Sequence, residues 1–156
     1  MKDVLSNFFV ESYVNTTPTH YYSGVELKTA TCDNTDVAEV GFVGRTLLNA
    51  FNALEYGSLQ NRPELVNSAN SIFDTYLTNG FSPAGFFNEV VHYNRDFKEP
   101  NLSIRRQSEG VYAILNYLDY EKQHKRKHPE WEKRLKVILD SFLRLQNADG
   151  SFPRKF

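Results

Sequence analysis

The apolar residues of this chain fall into four blocks with helical spacing, and the blocks alternate in how much helix surface they cover. The first runs from about Asp36 to Leu54. Val40, Phe42, Val43, Leu47, Leu48, Ala50, Phe51 and Leu54 occupy most of its circumference, a pattern that suits a helix buried on several sides. The second starts at Pro63. Leu65, Ala69, Ile72, Phe73 and Tyr76 make one stripe, and Glu64, Asn67, Asn70 and Asp74 fill the other face, so this helix is expected to be half exposed. The third runs from about Ile104 to Tyr120 and is again broadly apolar, with Val111, Tyr112, Ala113, Ile114, Leu115, Tyr117 and Leu118. The fourth starts at Pro129. Trp131, Leu135, Ile138, Leu139, Phe142 and Leu145 form a single stripe among Glu132, Lys133, Arg134 and Lys136. The order buried, amphipathic, buried, amphipathic predicts an all-α fold in two layers, with inner helices enclosed and outer helices facing water.

The helices pair into hairpins of about 36–79 and 104–147, and the two hairpins resemble each other in sequence. Leu48-Asn49-Ala50-Phe51-Asn52 aligns with Leu115-Asn116-Tyr117-Leu118-Asp119, Pro63-Glu64 with Pro129-Glu130, and Asn79-Gly80 with the Asn147 to Gly150 turn. The spacing is roughly 65–70 residues, longer than the common helical repeats of about 34 to 47. Pro followed by Glu is a local helix-start signal: proline is tolerated at the first helical position, and the acid complements the helix dipole. Short links are expected within hairpins, from Glu55 to Arg62 and from Glu121 to His128. Long segments, about 15–35 and 79–103, lead into the two broadly apolar helices and so belong on one rim. Val25 to Thr31 and Phe86 to Tyr93 are candidate short strands there, and Val4, Leu5, Phe8 and Phe9 are candidates for the end of a preceding outer helix.

Composition narrows the class. With 156 residues, 40% hydrophobic and 14% aromatic, the chain can build a core and is not of the disordered type. A formal charge of -1 gives no general attraction to nucleic acid or to an anionic membrane, and neither is expected as a partner. Cys32 is the single cysteine, so an internal disulfide is impossible. No segment has the length and apolarity of a signal peptide or a membrane span.

Leu145-Gln146-Asn147-Ala148-Asp149-Gly150-Ser151-Phe152-Pro153 reads as the exit from one hairpin and the entry to the next. Together with the alternating helices, the hairpin length and the long segments on one rim, this turn resembles an α/α toroid. The chain is most similar to the six-hairpin glycosidase superfamily, which includes glycoside hydrolases, unsaturated glucuronyl hydrolases, polysaccharide lyases and sugar epimerases. The resemblance implies a saccharide bound in the funnel at the long-loop rim. It also implies a partial domain, because a toroid needs about six hairpins and the sequence supplies two, with candidate residues for part of a third. The partners to be expected are a carbohydrate, and either the remaining hairpins of a parent chain or further copies of this one. Terpenoid cyclases and prenyltransferases are α/α toroids with similar Gln…Asp-Gly-aromatic turns, but this chain lacks their Asp-rich signature and carries Phe152 where a Trp is common. A non-catalytic helical-repeat module that binds glycan or protein is the principal alternative.

Glycosidic cleavage generally takes two carboxyl groups, one protonated and one ionised. Acids near the starts of the inner helices are the candidates: Asp36 and Glu39, with Asp33 just before them, and Glu109. Each has a plainer reading. Asp36 and Glu39 have capping-box spacing, and Glu109 stands one turn from Arg105 and Arg106. The substrate-binding candidates on the long segments are His20, Tyr21, Tyr22, His92, Tyr93, Arg105, Arg106 and Gln107, since aromatic faces stack on sugar rings and Arg or Gln reads hydroxyls or a carboxylate. His124 and His128 are spaced like helical metal ligands, but Pro129 disfavours helix at His128, so no metal is expected and no cofactor either. The basic run Lys122, His124, Lys125, Arg126, Lys127 and His128 lacks interleaved aromatics and reads as a solvated connection. Asn15-Thr16-Thr17 and Asn101-Leu102-Ser103 fit the glycosylation sequon.

Overall fold

A computed structural model describes residues 37–39, 46–92 and 102–156. They form β1 (Val37–Glu39), α1 (Thr46–Leu59), α2 (Pro63–Asn79), β2 (Val90–His92), α3 (Ile104–Gln123) and α4 (Pro129–Leu145). The class is all-α, as the apolar spacing predicts. Among the described residues the sheet is an antiparallel pair that sets Val37 opposite His92 and Glu39 opposite Val90.

The proline signals mark two helix starts to the residue. Neither preceding residue, Arg62 or His128, caps through its side chain. Proline at the first position removes one orphan N–H, and Glu64 on α2 and Glu130 and Glu132 on α4 lie where the dipole favours acids. The first inner helix departs from expectation. Val37 to Glu39 is a strand and α1 starts at Thr46, not at Asp36. Valine-rich sequence interrupted by Gly41 and Gly44 is weak helix material and good strand material, and β2 supplies the pairing partner. At their far ends both inner helices run further than their apolar residues suggest, to Leu59 and to Gln123.

The links within hairpins are correspondingly short and are built alike. Arg62 N–H donates to Gly57 O at 2.8 Å, and Arg126 N–H donates to Glu121 O at 2.8 Å. The residues just before, Asn61 and Lys125, take positive φ of 54° and 61°. This left-handed residue followed by a wide backbone bond closes the helix end. The segments flanking the hairpins also close alike. β1, before α1, pairs with β2, after α2. Leu102, just before α3, exchanges two 3.0 Å backbone hydrogen bonds with Phe156, beyond α4.

The core lies where α1 packs against both α2 and α3, and α4 packs on α3. Leu47, Ala50 and Leu54 of α1, Ala69, Phe73 and Tyr76 of α2, and Ile114 and Tyr117 of α3 belong to one buried cluster. Phe73 and Tyr117 stack with ring centroids 3.9 Å apart. Gly57 permits the closest approach of α1 and α2: a Cβ there meets Leu65 Cβ and Arg62 O, both at 3.0 Å. The expected enclosure of α3 needs correction. Tyr112 is 59% exposed and Leu115 46%, because the buried side of α3 carries Gly110, Ala113, Ile114 and Tyr117 and these two residues lie off it.

Candidate functional site

α1 and α3 run in the same direction. Leu48 and Tyr112, in their first halves, line one groove, and Ser58 Oγ lies 2.6 Å from Tyr120 Oη near their C-terminal ends. The groove between them has a volume of about 350 Å³. α1 contributes Leu48, Phe51, Asn52 and Glu55, and α3 contributes Tyr112, Asn116, Asp119, Tyr120 and Gln123. Both sets have helical i, i+3, i+4, i+7 spacing, which puts each on one face. Local bonds set the polar ends. Asn116 Nδ2 donates to Tyr112 O at 2.8 Å, and Gln123 Nε2 donates to Asp119 Oδ2 at 2.7 Å. Tyr120 stacks on His124 with centroids 4.1 Å apart. The result is a cleft lined by two carboxylates, three carboxamides and three aromatic rings, with no Lys or Arg among its lining residues.

The start of α3 is a different environment. Gln107 is fully buried. Its Nε2 donates to Phe87 O at 2.9 Å and to Glu89 Oε1 at 3.0 Å, and its Oε1 accepts from Phe87 N–H at 3.0 Å. Glu89, 1% exposed, accepts from Ser103 N–H at 2.5 Å, and its Oε2 faces Arg106 Nη1 at 3.6 Å. Tyr76 Oη donates to Asn88 O. These bonds tie the loop before β2 to α2 and to the start of α3.

A third polar cluster closes the α3–α4 turn. Glu121 is 3% exposed. It accepts two hydrogen bonds from the Arg126 guanidinium, one of them at 2.8 Å, and lies 2.8 Å from His128 Nε2. Burial alone raises the Glu121 carboxyl, but the bonds and charge of Arg126 and His128 outweigh it and hold the group below its ordinary value. His128 stacks on Trp131 at 4.1 Å. So two members of the basic run, Arg126 and His128, are tied down rather than freely solvated. The pairing of His124 with Tyr120 and of His128 with Glu121 gives both imidazoles structural partners.

Of the residues singled out from sequence, Arg105, Arg106, Gln107 and Glu109 lie together on the first turns of α3 and are bonded to different partners. Gln107 faces the loop and not a ligand, a correction that follows from its burial. Glu109 pairs with Arg105 at 3.2 Å, one turn away, and Arg106 is directed to Glu89. Glu39 lies in β1 and not in a helical first turn, so the capping-box reading with Asp36 is lost. His92 lies in β2. Asp33, Asp36, His20, Tyr21, Tyr22 and Tyr93 lie outside the described residues. The groove residues Asn52, Glu55, Asn116 and Asp119, and the buried Glu89, are not among the site candidates drawn from the sequence. Their signal is present: a polar stripe on helices otherwise rich in apolar residues, and one acid inside the apolar run Phe86-Phe87-Asn88-Glu89-Val90-Val91.

Comparison of the chain with protein-family models, with curated proteins and with solved structures finds no match.

Proposed function

We propose that this chain is a carbohydrate-active protein of the α/α-toroid type, similar to the six-hairpin glycosidases, and that it holds a saccharide in the α1/α3 groove. The observation that supports this reading is the groove lining itself. Tyr112 is well exposed and offers a ring face to the C–H face of a sugar. Glu55 and Asp119 accept hydroxyl donors, and Asn52 and Asn116 carry carboxamides that donate and accept. The volume falls within the range of about 300–1,000 Å³ usual for small-molecule sites. With two carboxylates and no cationic side chain on its walls, the groove favours a neutral or amine-bearing sugar over a uronate.

Binding without turnover is the second reading, and the pairing of Glu109 with Arg105 favours it. Calorimetric titration with neutral oligosaccharides tests the site. Saturable binding weakened about tenfold or more by Asp119→Asn and by Tyr112→Ala, or about 1.4 kcal/mol, supports it. Absence of binding to every glycan, or affinity indifferent to both changes, contradicts it. Reducing-end release on the bound glycan then separates the readings: turnover favours a hydrolase, and its absence a binding module.

A further inference from the structure

The hydrogen bonds of the α1/α3 groove decide which atoms a ligand meets there. Asn116 Nδ2 donates to Tyr112 O at 2.8 Å, and Gln123 Nε2 donates to Asp119 Oδ2 at 2.7 Å. A backbone carbonyl and a carboxylate only accept, so in each pair the amide nitrogen, and not the amide oxygen, faces the partner. Each carboxamide thus spends one of its two N–H groups on its own helix and keeps its oxygen whole. Asp119 retains Oδ1, and Glu55 brings a second carboxylate from α1. Tyr120 Oη and Ser58 Oγ, 2.6 Å apart, satisfy each other. The wall that remains is rich in acceptors.

Its charge has no counterpart on the same walls. No Lys or Arg lines the groove. Lys122 lines a separate groove between α3 and α4, and Lys136, which lines that groove too, is paired with Asp140 at 2.7 Å. The chemistry of the ligand follows from this imbalance. A sugar hydroxyl is one donor and two acceptors, and its own acceptors find few partners on such a wall. An ammonium is three donors, no acceptor and a positive charge. Its bond to a carboxylate is charge-assisted. The aromatic residues of the groove, Phe51, Tyr112 and Tyr120, add ring faces whose negative quadrupole attracts a cation. Tyr112 is the well-exposed one of the three.

We propose that the α1/α3 groove selects a saccharide bearing a protonated amine, of the glucosamine type, over a neutral one. The ammonium is held at the Glu55 and Asp119 carboxylates, and the Tyr112 ring takes the C–H face of the sugar. The inference rests on the saccharide reading of the groove and adds to it the charge of the ligand.

The test is calorimetric titration of the full chain, at low salt and mildly acidic pH where the sugar amine is protonated. The probes are tetramers of glucose, of glucosamine and of N-acetylglucosamine in the same linkage. The glucosamine tetramer is expected to bind about tenfold tighter than the glucose tetramer, or about 1.4 kcal/mol. N-acetylation, which removes the charge, abolishes that preference, and added salt reduces it. Glu55→Gln and Asp119→Asn each cut the ratio of the two affinities severalfold, whatever they do to the neutral sugar. Both residues are exposed, and the wild-type comparison of the three sugars needs neither variant. Glucose tetramer bound as tightly as glucosamine tetramer overturns the inference and leaves the saccharide site standing. A preference for the amine that survives both substitutions overturns it as well. So does tetralysine bound as tightly as the glucosamine tetramer, which marks a general cation site. Binding of none of the tetramers overturns the inference together with the reading it rests on.

Discussion

Glu121 shows how one side chain decides the shape of a turn. Aligned with its hairpin counterpart, it stands where α1 has the buried Leu54. A carboxylate is tolerated there because Arg126 and His128 fold back onto it, and the left-handed Lys125 lets them do so. Glu121→Gln removes the charge and is expected to cost about 1–2 kcal/mol, read by chemical denaturation at neutral pH. The pH dependence has a definite sign. The folded carboxyl lies below the ordinary value of 4.5, so its contribution is complete above that pH and is lost as pH falls through the folded value. Asp74 acts the other way. Burial lifts its carboxyl and so does the charge of Glu121, against the lowering effect of His128. Wild type is therefore expected to lose more stability below about pH 4.5 than Glu121→Gln does, and equal acid sensitivity of the two contradicts the pairing. Gly57 is the other decisive position. A methyl group there meets Leu65 and Arg62 at 3.0 Å, so Gly57→Ala should cost about 1–3 kcal/mol despite the better helix propensity of alanine.

At the scale of elements, α4 states the amphipathic argument most sharply. Ile138 is fully buried and Leu143 is 70% exposed on the same helix. Ile138→Ala is expected to cost about 2–5 kcal/mol, whereas Leu143→Ala should change monomer stability by no more than about 0.5 kcal/mol. Thermal melts of both variants check the contrast. The link from α3 to the preceding loop makes another prediction. Gln107→Leu leaves the buried Phe87 amide and carbonyl without their side-chain partners and should destabilise by about 2–3 kcal/mol, with hydrogen exchange accelerating first at Phe87.

What was legible in the sequence follows the range of the forces involved. Pro63 and Pro129 act locally, and α2 and α4 start where they stand. The Asp149-Gly150-Ser151 turn is equally local. Asp149 Oδ1 accepts from Ser151 N–H at 2.9 Å and from Ser151 Oγ at 2.7 Å, and Gly150 takes a φ of 85°. The start of α1 was not legible, because strand pairing with Val90–His92 is a contact across more than fifty residues of chain and overrides periodicity. The groove was half legible. Helical spacing places Asn52 and Glu55 on one face and Asn116 and Asp119 on another, but only the packing of α1 on α3 brings the two faces together. Gln107 illustrates the opposite failure: a polar residue at the start of an inner helix looks available to a ligand until the buried loop against it is seen.

For the whole molecule, two grooves flank α3, and they differ in chemistry. The one toward α1 is polar and aromatic, and the one toward α4 is apolar with balanced charge. Asp119 stands on the ridge between them and lines both. The first is the proposed saccharide site. The proposed saccharide site can be tested residue by residue. Amide chemical-shift mapping during titration with a neutral oligosaccharide tests it most directly. Perturbations are expected along Leu48 to Glu55 and Tyr112 to Gln123, fading toward Phe87 and Gln107. Perturbations centred instead on Arg105 to Glu109, or none at saturating glycan, would contradict it.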